Sequence, residues 1–139
     1  MKVALDKIQV GFELQPITKV MDRAGMLGGE KLSAGNIVHS DDEFSKREGL
    51  PAAIAVGMTS TMYLNQLLTD FFGEDWVKGG GSLSNKYIAP VFLGDTLTCH
   101  AQVSEKLKEK SGYRLALNVW CEKAGGQKTT VGNASVVVR

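Results

Sequence analysis

Residues 51–72, PAAIAVGMTSTMYLNQLLTDFF, decide the fold. Ile54, Met58, Met62, Leu64, Leu67, Leu68, Phe71 and Phe72 recur there at roughly helical spacing. Pro51 suits a first helical turn, where its missing N–H costs nothing, so the pattern predicts one helix of about 20 residues and about 30 Å. Ala52, Ala53, Ala55, Gly57, Thr59, Ser60 and Thr61 are small or weakly polar, and no charge occurs before Asp70. A helix this poor in charge is expected to be enclosed on most sides.

Working outward, the sequence period changes on both flanks. Upstream, Ser40-Asp41-Asp42-Glu43 has the Ser-x-x-Glu spacing of a capping box, and Gly49 is placed to end a short helix from about Asp41 to Glu48. Downstream of Gly79-Gly80-Gly81, the segments Ser82 to Ile88, Thr96 to Leu107, Tyr113 to Glu122 and Lys128 to Val138 read as strands. In the third, Leu115, Leu117, Val119 and Cys121 alternate with Arg114, Ala116, Asn118 and Trp120, a period of two. The short final connections imply antiparallel neighbours. Val3 to Val20 reads as one or two short strands, and Met21 to Gly35, with four glycines, as a loop. The expected class is α+β, a long helix met by an antiparallel sheet that can wrap it.

A length of 139 residues fits one domain with one core, and 43% hydrophobic with 22% charged residues is an ordinary globular mixture. Sixteen basic against fifteen acidic residues leave a net charge of +1, which argues against nucleic acid as a partner. Lys2, Asp6 and Lys7 interrupt the first apolar residues, and the longest apolar run, Leu50 to Met58, contains Pro51 and Gly57. A spanning helix needs roughly 20 apolar residues, so no membrane association is expected and the protein is expected to be cytoplasmic. Cys99 and Cys121 fall in strands and read as buried free thiols of a reduced compartment, a bridge being the alternative.

Familiar catalytic signatures are missing: there is no Gly-x-Ser-x-Gly elbow, Walker phosphate loop or dinucleotide glycine fingerprint. With only His39 and His100 and two separated cysteines, a dedicated metal site has little support. His39 lies between Asn36 and the short helix, just ahead of the uncharged long one, and an imidazole can take and return a proton near neutral pH. A cap-adjacent surface histidine is the plainer reading, and His100 reads as an exposed strand residue. The first N–H groups of the long helix lack helical acceptors and can stabilise a developing negative oxygen. Gly57 would let a substrate backbone approach closely, or would simply pack against the sheet.

Three segments resemble the MaoC-like hydratase/dehydratase family of the hotdog fold. Asn36-Ile37-Val38-His39-Ser40-Asp41 is similar to the family's Asn-Pro-x-His-x-Asp segment. Gly49-Leu50-Pro51-Ala52-Ala53-Ile54-Ala55-Val56-Gly57-Met58 is similar to its Gly-x-x-x-Pro-Ile-Ala-His-Gly-Met approach to the central helix. Pro90-Val91-Phe92-Leu93-Gly94-Asp95-Thr96-Leu97 is similar to its Pro-Val-x-x-Gly-Asp-Thr-Leu turn. The resemblance implies a hotdog fold paired as a homodimer or a higher oligomer of dimers. The implied ligand is an acyl thioester of coenzyme A or acyl carrier protein, with no separate cofactor. The implied reaction is hydration of a trans-2-enoyl thioester to the (R)-3-hydroxyacyl product, or its reverse.

By position, the resemblance makes His39 the catalytic histidine, Asn36 its associated asparagine, and Ala55, Val56, Gly57 and Met58 the substrate-binding stretch. The sequence departs from the family at two places. The position of the family's catalytic aspartate is Ala34, and the histidine before the helix glycine is Val56. Asp22 and Glu30 are remote substitutes for the acid, while Asp41 reads as a helix cap. Lys86, Lys106, Lys108, Lys110 and Arg114 are possible phosphate or carrier-protein contacts, and Met58, Met62, Tyr63 and Leu67 possible acyl-tunnel residues. Two other functions stay open, a non-catalytic acyl-thioester-binding subunit of a hetero-oligomeric dehydratase and a hotdog thioesterase.

Overall fold

In the computed structural model, which describes residue 1, residues 3–26 and residues 37–139, five strands form one antiparallel sheet. They are β1 (Ile17–Val20), β2 (Ser82–Tyr87), β3 (Thr96–Glu109), β4 (Gly112–Lys123) and β5 (Lys128–Val138), ordered β1-β3-β4-β5-β2. All four strands read after the glycine triplet are present, with ends shifted by at most two residues. Of the opening segment, only Ile17–Val20 is a strand; Leu5–Lys7 form a 3-10 turn. Residues 23–26, within the stretch read as a loop, are helical, and residues 27–36 lie outside the described residues.

Alternation sets the inner face of the sheet. Leu97, Cys99, Ala101 and Val103 of β3 and Leu115, Leu117, Val119 and Cys121 of β4 are all buried. Against them packs α2 (Gly57–Phe72), through Leu64, Leu67, Leu68, Phe71 and Phe72. Irregularities in register at Val103/Glu105 and Cys121/Glu122 interrupt the ladders where bulges bend strands. A short α1 (Asp42–Arg47) precedes α2, and α3 (Glu74–Val77) follows, tied back by Trp76 Nε1 donating to Asn65 Oδ1 at 2.8 Å.

Three local expectations are corrected. The Ser40 capping box does not form: the cap of α1 is Asp41, the residue also read as a helix cap, whose carboxylate accepts from the Phe44 N–H at 2.9 Å. The long helix starts at Gly57, not Pro51, because the preceding backbone is extended and bonded elsewhere. Ala55 N donates to Val91 O at 2.7 Å, Leu93 N to Ala53 O at 2.9 Å and Ile54 N to Val38 O at 3.1 Å. Nor is α2 enclosed on most sides: Met58 and Met62, one turn apart, are 50% and 51% exposed in the single chain.

Cys99 and Cys121 are buried and free, as read, and they face each other. They are directly opposed across β3 and β4, with Sγ atoms 3.2 Å apart. The hydrogen bond to Cys99, reinforced by burial, pushes the Cys121 thiol well above its ordinary range. Since the thiolate is the reactive species, a disulfide-exchange reagent should label neither cysteine of the folded protein and both after unfolding in guanidinium; rapid labelling of the native chain would contradict this packing.

Candidate functional site

The site is built around the irregular backbone ahead of α2. Residues Ile37–His39 form a 3-10 turn, and Ser45 Oγ from α1 donates to Val38 O at 2.8 Å, pinning the turn. Asp42 Oδ1 accepts the Ala53 N–H at 3.0 Å, so α1 also holds the extended stretch. Two short elements thereby bring His39 beside residues 54–57.

The Asp42 carboxyl is held below its ordinary value of 3.8 by its hydrogen bond to Lys46 and then by the Ala53 N–H. A depressed folded-state value stabilises the fold above the ordinary carboxylate range, and that support is lost as pH falls through the lower folded value. An Asp42→Asn variant should therefore melt slightly below wild type at neutral pH and with it in strong acid; an equal deficit at every pH would discount the charge.

His39 Nδ1 lies 2.7 Å from Ile54 O. A carbonyl oxygen only accepts, so Nδ1 carries the hydrogen and the lone pair is left on Nε2. His39 and residues 54–57 bound a cavity of about 460 Å³, together with Ser60, Tyr87, Ala89, Pro90, Val91, Thr129 and Thr130. The N-terminus of α2 lies on this wall. Its N-cap, Val56, offers no side-chain acceptor, and no acidic residue sits in the first turn. The positive end of the helix is thus unneutralised by its own side chains and can face negative charge on a ligand.

Gly57 lies on the cavity wall and packs closely against Tyr87. A Cβ there would lie 2.7 Å from Tyr87 Cδ2, and the Tyr87 hydroxyl is 2.7 Å from Thr61 Oγ1 on α2. The absence of a side chain at Gly57 lets the Tyr87 ring close over the start of the helix. Gly57→Ala should displace that ring and weaken ligand binding more than it lowers the melting temperature; unchanged binding would show the ring to be free to move.

Of the residues singled out in sequence, His39, Ala55, Val56 and Gly57 bound the cavity, whereas Met58 is half exposed and does not. Asn36, Ala34 and Glu30 lie outside the described residues. Asp22 accepts the Gly25 N–H at 2.9 Å, and no Asp or Glu among the described residues bounds the cavity. Met62, Tyr63 and Leu67 do not bound it either; Leu67 is core. Lys106 Nζ is bonded to the carbonyls of Leu5 and Ile8, and Arg114 Nε to Glu109 at 2.6 Å, so both are occupied by the fold.

His100 is not the exposed strand residue expected. Its side chain is 14% accessible, stacked at 4.8 Å on Trp120, with Glu13 and Glu122 each 2.9 Å from a ring nitrogen. Both carboxylates are satisfied together only when both ring nitrogens donate. No group of His, Cys, Asp and Glu among the described residues could hold a metal ion, and no helix among them is long and apolar enough to cross a membrane.

Sequence reasoning passed over Ser60, Tyr87, Thr129 and Thr130. Ala89 to Val91 had a local signal, since the Pro-Val pair opens the third family-like segment. The two threonines had none, because β5 reaches the cavity only through its pairing with β2.

Residues 35–131 match the family described as MaoC like domain. No curated protein matches the chain. Among solved structures, the unliganded R-hydratase PhaJ1 from Pseudomonas aeruginosa superposes with a TM-score of 0.80 at 20% identity, covering 96% of this chain and 83% of that one. An (R)-hydratase from A. caviae involved in PHA biosynthesis gives 0.74 at 24% identity, covering 96% and 98%. The ChsH1-ChsH2 complex from Mycobacterium tuberculosis gives 0.76 at 17% identity, covering 100% of both chains. These likenesses establish the hotdog fold.

Proposed function

Since this chain belongs to the MaoC-like domain family, we propose that it hydrates a trans-2-enoyl thioester of coenzyme A or acyl carrier protein to the (R)-3-hydroxyacyl thioester, or runs the reverse. The observation that carries this reading is the placing of His39, its Nδ1 committed to Ile54 O at 2.7 Å, on the same cavity as the first turn of α2. Nε2 takes a proton from water as the water oxygen bonds to C3. The electron pair moves through C2 onto the thioester oxygen, where the N–H groups of the α2 terminus stabilise it. As the enolate collapses, C2 takes the water-derived proton held on Nε2. One water adds across one double bond, and the imidazole returns to its starting state.

His39 is assigned the proton transfers, and Ala55, Val56 and Gly57 the thioester-binding stretch. The protomers pair as a cytoplasmic homodimer through a free sheet edge, β2 being one of the two edge strands. The test is direct: purified chain mixed with crotonyl-CoA should remove the conjugated enoyl absorbance and accumulate 3-hydroxybutyryl-CoA. Retention of absorbance over a range of enoyl lengths would reject the activity.

One observation favours a second reading. No carboxylate among the described residues bounds the cavity, and general acid or base assistance of that kind contributes about 10²–10⁴-fold. A chain that binds acyl-CoA but leaves enoyl-CoA intact until a related chain is added would be the binding subunit of a hetero-oligomeric dehydratase.

A further inference from the structure

Among the described residues bounding the cavity, four are buried, namely Ser60, Val91, Thr129 and Thr130. Three of these carry hydroxyls, an unusual inner wall for a purely hydrocarbon ligand. Thr129 Oγ1 is bonded to Cys121 O at 3.3 Å. The Ser60 and Thr130 hydroxyls bond to no other described residue, although the residues are only 5% and 1% exposed. Among the described residues no side-chain oxygen is both sealed and unpaired, so these two open onto the cavity.

Their placement is consistent on both walls. Thr130 pairs with Tyr87 on β2 and Cys121 on β4, so it shares the inner face of the sheet with that buried thiol. Ser60 lies three residues beyond Gly57, about 4.5 Å along the helix axis, a distance comparable to a few acyl carbons past a carbonyl held at the α2 terminus. An alkyl chain lying there would strip water from two hydroxyls and return no hydrogen bond. No Lys or Arg among the described residues bounds the cavity, so a carboxylate finds no cationic side chain among them.

We infer that Ser60 and Thr130 form a hydroxyl subsite for a neutral oxygen, a hydroxyl or ketone, carried by a short acyl group beyond its reacting carbons. The inference rests on the acyl-thioester reading above. It predicts a ligand class narrower than unsubstituted enoyl chains, and both hydroxyls can donate to a ketone or exchange hydrogen bonds with an alcohol.

Titration calorimetry with 4-oxopentanoyl-CoA and pentanoyl-CoA tests it, since the two match in length and neither has a double bond to hydrate. The oxo ligand should bind about tenfold more tightly to the wild-type chain. Ser60→Ala, and independently the near-isosteric Thr130→Val, should bring the pair towards parity without weakening pentanoyl-CoA. Equal or weaker binding of the oxo ligand to the wild type overturns the subsite while leaving the thioester reading intact. Failure of both ligands to bind overturns both. The wild-type comparison holds whether or not either variant folds.

Discussion

His39→Gln should lower kcat for enoyl-CoA hydration by about 10²–10⁴-fold, with a much smaller change in KM. Glutamine can still donate an N–H towards Ile54 O, the acceptor now held at 2.7 Å by Nδ1, so the local backbone keeps its bond. It cannot take a proton from water. His39→Ala should lose the same activity and also release the Ile54 carbonyl, adding a fall in melting temperature that the glutamine variant lacks. Steady-state rates with crotonyl-CoA, set beside melting curves, separate the two effects. A His39→Gln enzyme within a few fold of wild type would remove His39 from the chemistry.

Gly132→Ala is expected to be strongly destabilising, at about 3 kcal/mol. A Cβ at Gly132 would fall on the Ser84 carbonyl oxygen and lie 2.7 Å from Asn85 Cα, both on the paired strand β2. Backbone atoms cannot swing aside as a side-chain tip can, so β2 must separate from β5. That strand carries Tyr87 over Gly57 and Asn85, whose Nδ2 donates to Thr61 Oγ1 at 3.0 Å. Denaturant unfolding should show the midpoint lowered, and ligand binding should weaken in the protein that still folds. A midpoint within error of wild type would mean that β2 can shift without cost.

These two residues differ in how visible they are in sequence. His39 stood out because histidine is scarce in this chain and this one lies between Asn36 and the short charged helix, ahead of the charge-poor approach to the long one. Gly132 gave no such signal, as its need for a bare Cα comes from a strand almost fifty residues earlier. The same contrast runs through the cavity. Gly57 was singled out within the helix pattern and Val56 through the family resemblance, whereas Thr130 reaches the cavity through the order β4-β5-β2.

The error over the start of α2 has a comparable cause. Pro51 fits a first helical turn and an extended chain equally well, and local propensity cannot choose between them. The choice is made by residues 91–93, which pair with 53–55 and take their hydrogen bonds. Likewise, lack of charge along the helix suggested full enclosure, yet Met58 and Met62 face outward in the single chain.

By itself, then, the sequence determined the α+β class, the four long strand segments and the presence of one apolar helix, because periods of two and of 3.6 are written in neighbouring residues. It also singled out His39. Tertiary structure decided where α2 begins, which ring nitrogen of His39 is left basic, and which hydroxyls meet it across the cavity. Those features depend on hydrogen-bond partners and strand neighbours far apart along the chain, and no local pattern encodes them.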